Sequence, residues 1–237
     1  ITLYLGLELL SLPLYAMIAM QRDSATAAES AMKFFILAAL ASAFMLYGIS
    51  LIYGMTHTLS ISEIATRIAQ LQGVPLAVVS FAALFIIAAI AFKLGAVPFH
   101  SWVPDVYQGS PLCTTLLIGS APKIAAFGMT YRLLVDMLSP LLQEWQVILI
   151  VLAIASMAIG NLLAIAQTSI RRMLGYSSIA QMGYMLLGFI AGTPNGYAAA
   201  SFYTITYALT ALAAFTLLTI ISRKDIEIDA IDDLSGL

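Results

Sequence analysis

The chain is 237 residues long, with 62% hydrophobic and 9% charged side chains. A soluble domain carries roughly 25% charged residues, so this composition excludes an ordinary water-soluble fold and fits helices dissolved in lipid, itself an apolar solvent. The formal net charge of −2 argues against a nucleic-acid surface, which needs a basic stripe. The single cysteine, Cys113, excludes an intrachain disulfide framework, zinc-type Cys/His spacing and an iron–sulfur cluster ligated by this chain alone.

A helix that spans a bilayer needs about 20 mostly apolar residues. Seven runs reach that length, approximately 1–20, 31–55, 74–97, 111–138, 145–166, 174–192 and 197–222. They are too long for strands, so the expected fold is an all-α membrane protein with about seven transmembrane helices, forming one transmembrane domain over 1–237. Ile1 already lies inside an apolar run, with no basic segment before it and no small-residue cleavage site after it. The first run is therefore not read as a signal peptide, and the chain is expected to be part of a longer protein.

The connections carry the polar residues. Segment 21–30 is polar, and 56–73 contains Ser60, Ile61, Ser62 and Glu63, a helix start, followed by Ile64, Ile68 and Leu71 at helical spacing. That pattern predicts a short amphipathic helix lying at the interface. The tail 223–237 turns from basic to acidic and reads as interfacial. With seven crossings, Arg22, Arg171, Arg172, Arg223 and Lys224 share one side, with Lys33 close by, while Arg67 and Arg132 lie opposite. The positive-inside rule makes the first side cytoplasmic, or its organellar equivalent.

Ionisable residues inside the spans stand out. A charge at the bilayer centre costs about 3 kcal/mol on insertion scales. Glu8 lies 14 positions before Arg22, roughly 20 Å from the inner boundary, and Lys123 lies nine before Arg132, roughly 14 Å from the outer one. Lys93 comes late in the third span, and Lys33 opens the second. Desolvation disfavours a lysine's charged form and a nearby carboxylate favours it. A lysine set between the two effects is suited to proton transfer, with Glu8 holding Lys93 or Lys33 and with hydroxyls such as Ser120 and Thr115 leading to Lys123. The alternative is a structural ion pair between packed helices, and for Lys33 an ammonium that simply snorkels to the surface.

The third span also carries a breaker. Pro98 lacks a backbone donor and clashes with the carbonyl of Leu94, and Gly95 eases the same place. Opened backbone at membrane depth is tolerated only against protein or a water-filled cavity, and broken helices mark ion sites in transporters. His100, just beyond, is either a proton relay or a satisfied interfacial histidine. Trp102 and Tyr107 read as interfacial anchors, and Asp105 as a cap. Pro122, beside Lys123, points to a kink or to trapped water.

Phe92-Lys93, Val97-Pro98-Phe99-His100, Trp102, Pro104-Asp105-Val106-Tyr107, Gly109 and Pro111 together resemble the central signature of the antiporter-like membrane subunits of respiratory complex I. The run Gly175-Tyr176-Ser177-Ser178-Ile179-Ala180-Gln181-Met182-Gly183-Tyr184 resembles their second signature. The Asp-Val-Tyr-Gln-Gly form and Ala121-Pro122-Lys123 are similar to the subunit N, or subunit 2, type rather than to L or M. The resemblance implies two inverted five-helix repeats within about fourteen helices, of which these seven are the fifth to eleventh, with a second broken helix beyond Leu237. It implies that Glu8, Lys33, Lys93, His100 and Lys123 are the site residues of a proton-translocating subunit of NADH:quinone oxidoreductase in a bacterial inner membrane, or in an organellar one. It also implies that NADH, FMN, iron–sulfur clusters and quinone are bound by partner subunits. A multi-subunit cation/proton antiporter and a membrane-bound hydrogenase share the Glu–Lys pattern and are the alternatives. A structural scaffold whose ion pairs specify packing is the third class.

Overall fold

Lipid leaves every backbone polar group to be satisfied within the protein, so each apolar run closes its own hydrogen bonds as a helix. The computed structural model describes residues 1–222 and 229–235. The helices are α1 (Thr2–Ile18), α2 (Ala25–Thr56), α3 (Ile61–Ile68), α4 (Val74–Leu94), α5 (Trp102–Gly109), α6 (Leu112–Thr130), α7 (Leu142–Ile165), α8 (Ile170–Ile190) and α9 (Pro194–Ile221). α6 runs on into a π-helical segment, Tyr131–Met137, and a 3-10 turn, Ser139–Leu141, leads into α7. Six of these helices are long and apolar enough to cross a membrane, and α1 is a shorter apolar helix of 17 residues. The expected all-α, multi-span fold is what forms.

The chain marks its own boundaries. Ser24, Ser169 and Thr193 each accept a backbone amide with the side-chain hydroxyl at a helix start, and Pro194 takes the first position of α9, where its missing donor costs nothing. The predicted interfacial helix is α3, but Ser60 makes no side-chain cap. The Thr58 hydroxyl donates to Glu63 instead, at 2.6 Å. The largest departure concerns 98–110, which falls between the expected spans 74–97 and 111–138 and is mostly helix here, as α5. Arg223 and Lys224, two of the charges used for orientation, lie outside the described residues.

Helices in lipid gain nothing from excluding water between them, so they associate through close backbone approach and polar contacts. At the α7–α8 crossing, a Cβ built on Gly160 would stand 2.6 Å from the Ala180 nitrogen. The same logic seats Gly48 of α2 against α4, where a Cβ would lie 2.9 Å from the Ala82 carbonyl oxygen. Large apolar side chains such as Leu9, Ile154 and Leu209 are left exposed on the outer faces, which lipid tolerates.

Gly160→Ala should therefore destabilise the protein by about 1–3 kcal/mol, the usual cost of overpacking. Gly54→Ala, where nothing lies within 4 Å, should be nearly silent. The thermal unfolding midpoints of the two detergent-solubilised variants check this, and equal midpoints would contradict the packing described.

Candidate functional site

The site is built around the end of α4. Gly95 adopts φ +77°, and a Cβ there would meet Val103 Cγ2 at 2.7 Å. Both the backbone and the space thus require glycine. The Gly95 amide donates to the Phe92 carbonyl at 3.0 Å and the Ala96 amide to the Ala91 carbonyl at 2.8 Å, finishing the helix. The span expected to reach Val97 stops at Leu94, so Gly95 rather than Pro98 ends it, and Pro98 sits in the loop that follows.

The loop's loose ends are met by side chains from other helices. The Val97 amide donates to Ser156 Oγ at 2.9 Å. Trp102 Nε1 donates to the Phe92 carbonyl at 3.1 Å. Lys123 Nζ donates to the Leu94 carbonyl at 2.6 Å and stands 5.5 Å from the centre of the Trp102 ring, within range of a cation–π contact. Lys123 is 1% exposed, and among the described residues no carboxylate lies within ion-pair distance of it.

Lys93, one residue before the end of α4, faces α1. Its Nζ is 3.2 Å from Glu8 Oε1 and donates to Ser11 Oγ at 2.9 Å. Ser11 and Glu8 sit three apart on α1, on one face. The Ser42 hydroxyl of α2 also donates to Glu8 Oε1. A cavity of about 30 Å³ touches Lys93, Ser11, Trp102 and Pro122. That is room for about one or two waters, next to the residue preceding Lys123.

The remaining predicted residues lie elsewhere. Lys33 is not joined to Glu8. Its Nζ pairs with Glu29 at 2.7 Å and with Asp105 at 2.9 Å, with the side chain 46% exposed. The His100 ring lies beside the Pro98 backbone, and its buried Nδ1 has no hydrogen-bond partner among the described residues. Ser120 and Thr115 bond within their own neighbourhood, Ser120 to the Leu116 carbonyl and Thr115 to Ser110. Neither reaches Lys123.

A family model described as NADH:quinone oxidoreductase/Mrp antiporter, TM matches residues 1–237. The chain belongs to this family. Within it, NADH-quinone oxidoreductase subunit N from Laribacter hongkongensis is 55% identical over 237 residues, 100% of this chain and 49% of that protein. The chain spans about half the length of the curated relatives it matches. Among solved structures of the oxidoreductase/antiporter family, a chain of respiratory complex I from Thermus thermophilus with bound aureothin is 37% identical. It has a TM-score of 0.79 over 96% of this chain and 47% of that one. A chain of the Mrp complex from Dietzia sp. is 26% identical, with a TM-score of 0.81 over 90% of this chain and 39% of that one.

Sequence reasoning missed two features of this oxidoreductase/antiporter fold. Asp105, read as a cap, is shared between Lys33 and Arg172, whose Nη1 lies 2.7 Å from Asp105 Oδ1. It fastens α5 to α2 and α8. Its position three residues after Trp102 was visible, but partners 72 and 67 residues away were not. Asp229 accepts from Ser169, Gln108 and Arg171, and the Ile170 amide bonds its carbonyl at 2.8 Å. Burial pushes the Asp229 carboxyl up, but those three hydrogen bonds and the Arg171 charge outweigh it and hold the carboxyl below its ordinary range.

Asp105→Asn should free α5, read as faster amide exchange over 102–109 with the α2 core unchanged. For Asp229 the folded-state pKa is depressed, so its contribution is full above the ordinary carboxylate value of about 3.9 and fades as pH falls through the lower folded value. The Asp229→Asn protein should lack protection at the Ile170 amide already at neutral pH, whereas the unmodified chain should lose it only in acid.

Proposed function

We propose that this chain is the central part of a proton-translocating membrane subunit of NADH:quinone oxidoreductase, lying in a bacterial inner membrane and moving protons while partner subunits carry out the redox chemistry. The observation that carries the reading is the placement of two lysines at one broken helix end, Lys93 against Glu8 and Lys123 on the Leu94 carbonyl, with a water-sized cavity beside them. NADH, FMN, iron–sulfur clusters and quinone are assigned to the partners. The 55% identity to a subunit N supports this over the alternatives. A chain of the Mrp complex shares the fold equally well but only 26% of the sequence, so fold likeness alone does not favour an antiporter.

In this reading Glu8, steadied by Ser42, holds the Lys93 ammonium, and Ser11 offers it a second acceptor. Withdrawal of the carboxylate leaves the ammonium facing only Ser11 and the cavity, and the N–H bond then breaks toward water there. Lys123 is the next station, gripping a backbone carbonyl when charged and losing that bond's electrostatic strength when neutral. His100 is a side station at the break, its buried Nδ1 having no hydrogen-bond partner among the described residues. Lys33, engaged by two carboxylates near the basic rim, is assigned to proton entry through that exposed cluster.

Lys93→Ala in the full complex should abolish NADH-driven proton uptake and depress quinone reduction while the complex still assembles. Glu8→Ala should impair turnover, and Glu8→Asp should be milder because a carboxylate remains. The readout is acidification of inverted membrane vesicles alongside NADH oxidation. Wild-type pumping by Lys93→Ala would sink the reading, and sodium/proton exchange by the purified complex without redox partners would replace it with the antiporter.

A further inference from the structure

Away from Glu8, Lys93 and Lys123, three hydroxyls from three helices meet inside the bundle. Tyr107 of α5 and Ser178 of α8 are both fully buried, at 0% exposure, and the Tyr107 hydroxyl donates to Ser178 Oγ at 3.4 Å. The hydroxyl of Tyr207, on α9, joins the same pair and interacts with both. Phe215 fills its place beside the Tyr107 ring, edge to face at 5.6 Å, with no polar atom. Buried hydroxyls are costly unless they bond one another.

The cluster has two ends. On one side the Tyr107 oxygen lies 3.4 Å from where a Cβ on Gly119 would stand. Gly119 is four residues before Lys123 on α6, one turn away on the same face, or roughly 6 Å along the axis. On the other side Tyr207 lines a groove of about 200 Å³ between α8 and α9, together with Ser177, Gln181, Tyr203 and Thr206. There the Tyr203 hydroxyl donates to Gln181 Oε1. The cluster thus spans from the neighbourhood of a buried ammonium to a groove whose mainly apolar lining carries these hydroxyl and amide groups.

We propose that Tyr107, Ser178 and Tyr207 form a proton relay from Lys123 to the groove between α8 and α9. The inference rests on the proton-translocation reading and names residues that reading did not include. A hydroxyl both donates and accepts, so it passes a proton without net change. One N–H bond of the Lys123 ammonium breaks, and its proton goes to a water that the relay requires between the ammonium and the Tyr107 oxygen. That water gives a proton to the Tyr107 oxygen as Tyr107's own proton passes to Ser178, Ser178's to Tyr207 and Tyr207's to a water in the groove. Lys123 ends neutral, the groove water has gained one proton, and each hydroxyl again holds one. The transfers are concerted, so no phenolate and no charged alcohol accumulates. Rotation of the O–H bonds resets the relay.

The test uses the full-length subunit in its whole complex, in inverted membrane vesicles, with Tyr107→Phe, Ser178→Ala and Tyr207→Phe made singly and assembly checked on native gels. Each change removes one oxygen and little volume. Proton uptake should fall roughly ten- to hundredfold, the scale of losing a positioned proton carrier. The residual rate should show a larger slowing in heavy water than the unmodified complex. Normal uptake in the assembled variants would overturn the relay. A reduced rate with an unchanged isotope effect would also overturn it, because the hydroxyls would then be merely structural. Failure of all three to assemble would overturn it on the same ground, and if only one or two fail, those that assemble decide. Lys93→Ala is measured alongside. Loss in Lys93→Ala with normal hydroxyl variants removes the relay alone, whereas normal pumping in Lys93→Ala removes the reading beneath it.

Discussion

The Leu94 carbonyl is the constraint on which the centre of this molecule depends. The backbone leaves helical geometry at Gly95, so no following amide returns to that oxygen. In water a solvent molecule would take it. At membrane depth an unsatisfied carbonyl costs several kcal/mol, and a partner must come from the protein. Lys123 supplies it, at 2.6 Å. That single bond explains why an ammonium is buried in α6 and why Trp102 offers it an aromatic face. The Cβ position of Gly95 lies only 3.3 Å from the Lys123 nitrogen, so the residue that breaks the helix also leaves room for the cation.

The broken segment is then held from both ends. At its start, Ser156 bonds the Val97 amide and Trp102 returns to the Phe92 carbonyl. Further along, Asp105 carries α5 to Lys33 and Arg172. Ion pairs at an exposed rim contribute little to stability, about 0–1 kcal/mol each. Their consequence here is register, since they tie the eight-residue α5 to both α2 and α8. The proposed proton path is served by such a fixed break, because proton transfer requires donor and acceptor to hold hydrogen-bond distances.

Six of the seven expected spans were legible in the sequence because apolar length is a direct measure of bilayer thickness, whereas the first run forms the shorter α1. Glu8, Lys93 and Lys123 were legible for the converse reason, each being a charge where lipid disfavours one. The partners were not. Glu8 is joined to a lysine 85 residues away, and nothing local distinguished Lys93 from Lys33 as its mate. Pro98 was a louder signal than Gly95 for the end of α4, yet the positive φ at Gly95 stops the helix before the proline is reached. The helical content of 102–109 was hidden because the segment falls between two long apolar runs, and its Pro104 sits in the first turn of α5, where proline is tolerated.

The two lysines are held in different electrostatic company, and that difference gives the arrangement a direction of influence. Lys93 and Glu8 together carry no net charge, while Lys123 faces a carbonyl dipole and an aromatic ring, with no carboxylate in ion-pair reach among the described residues. Parting Glu8 from Lys93 exposes one positive charge to the other. Like charges repel, so each ammonium then favours the neutral form of the other. In the proposed proton path, movement of one carboxylate on α1 thereby biases where the next proton resides on α6.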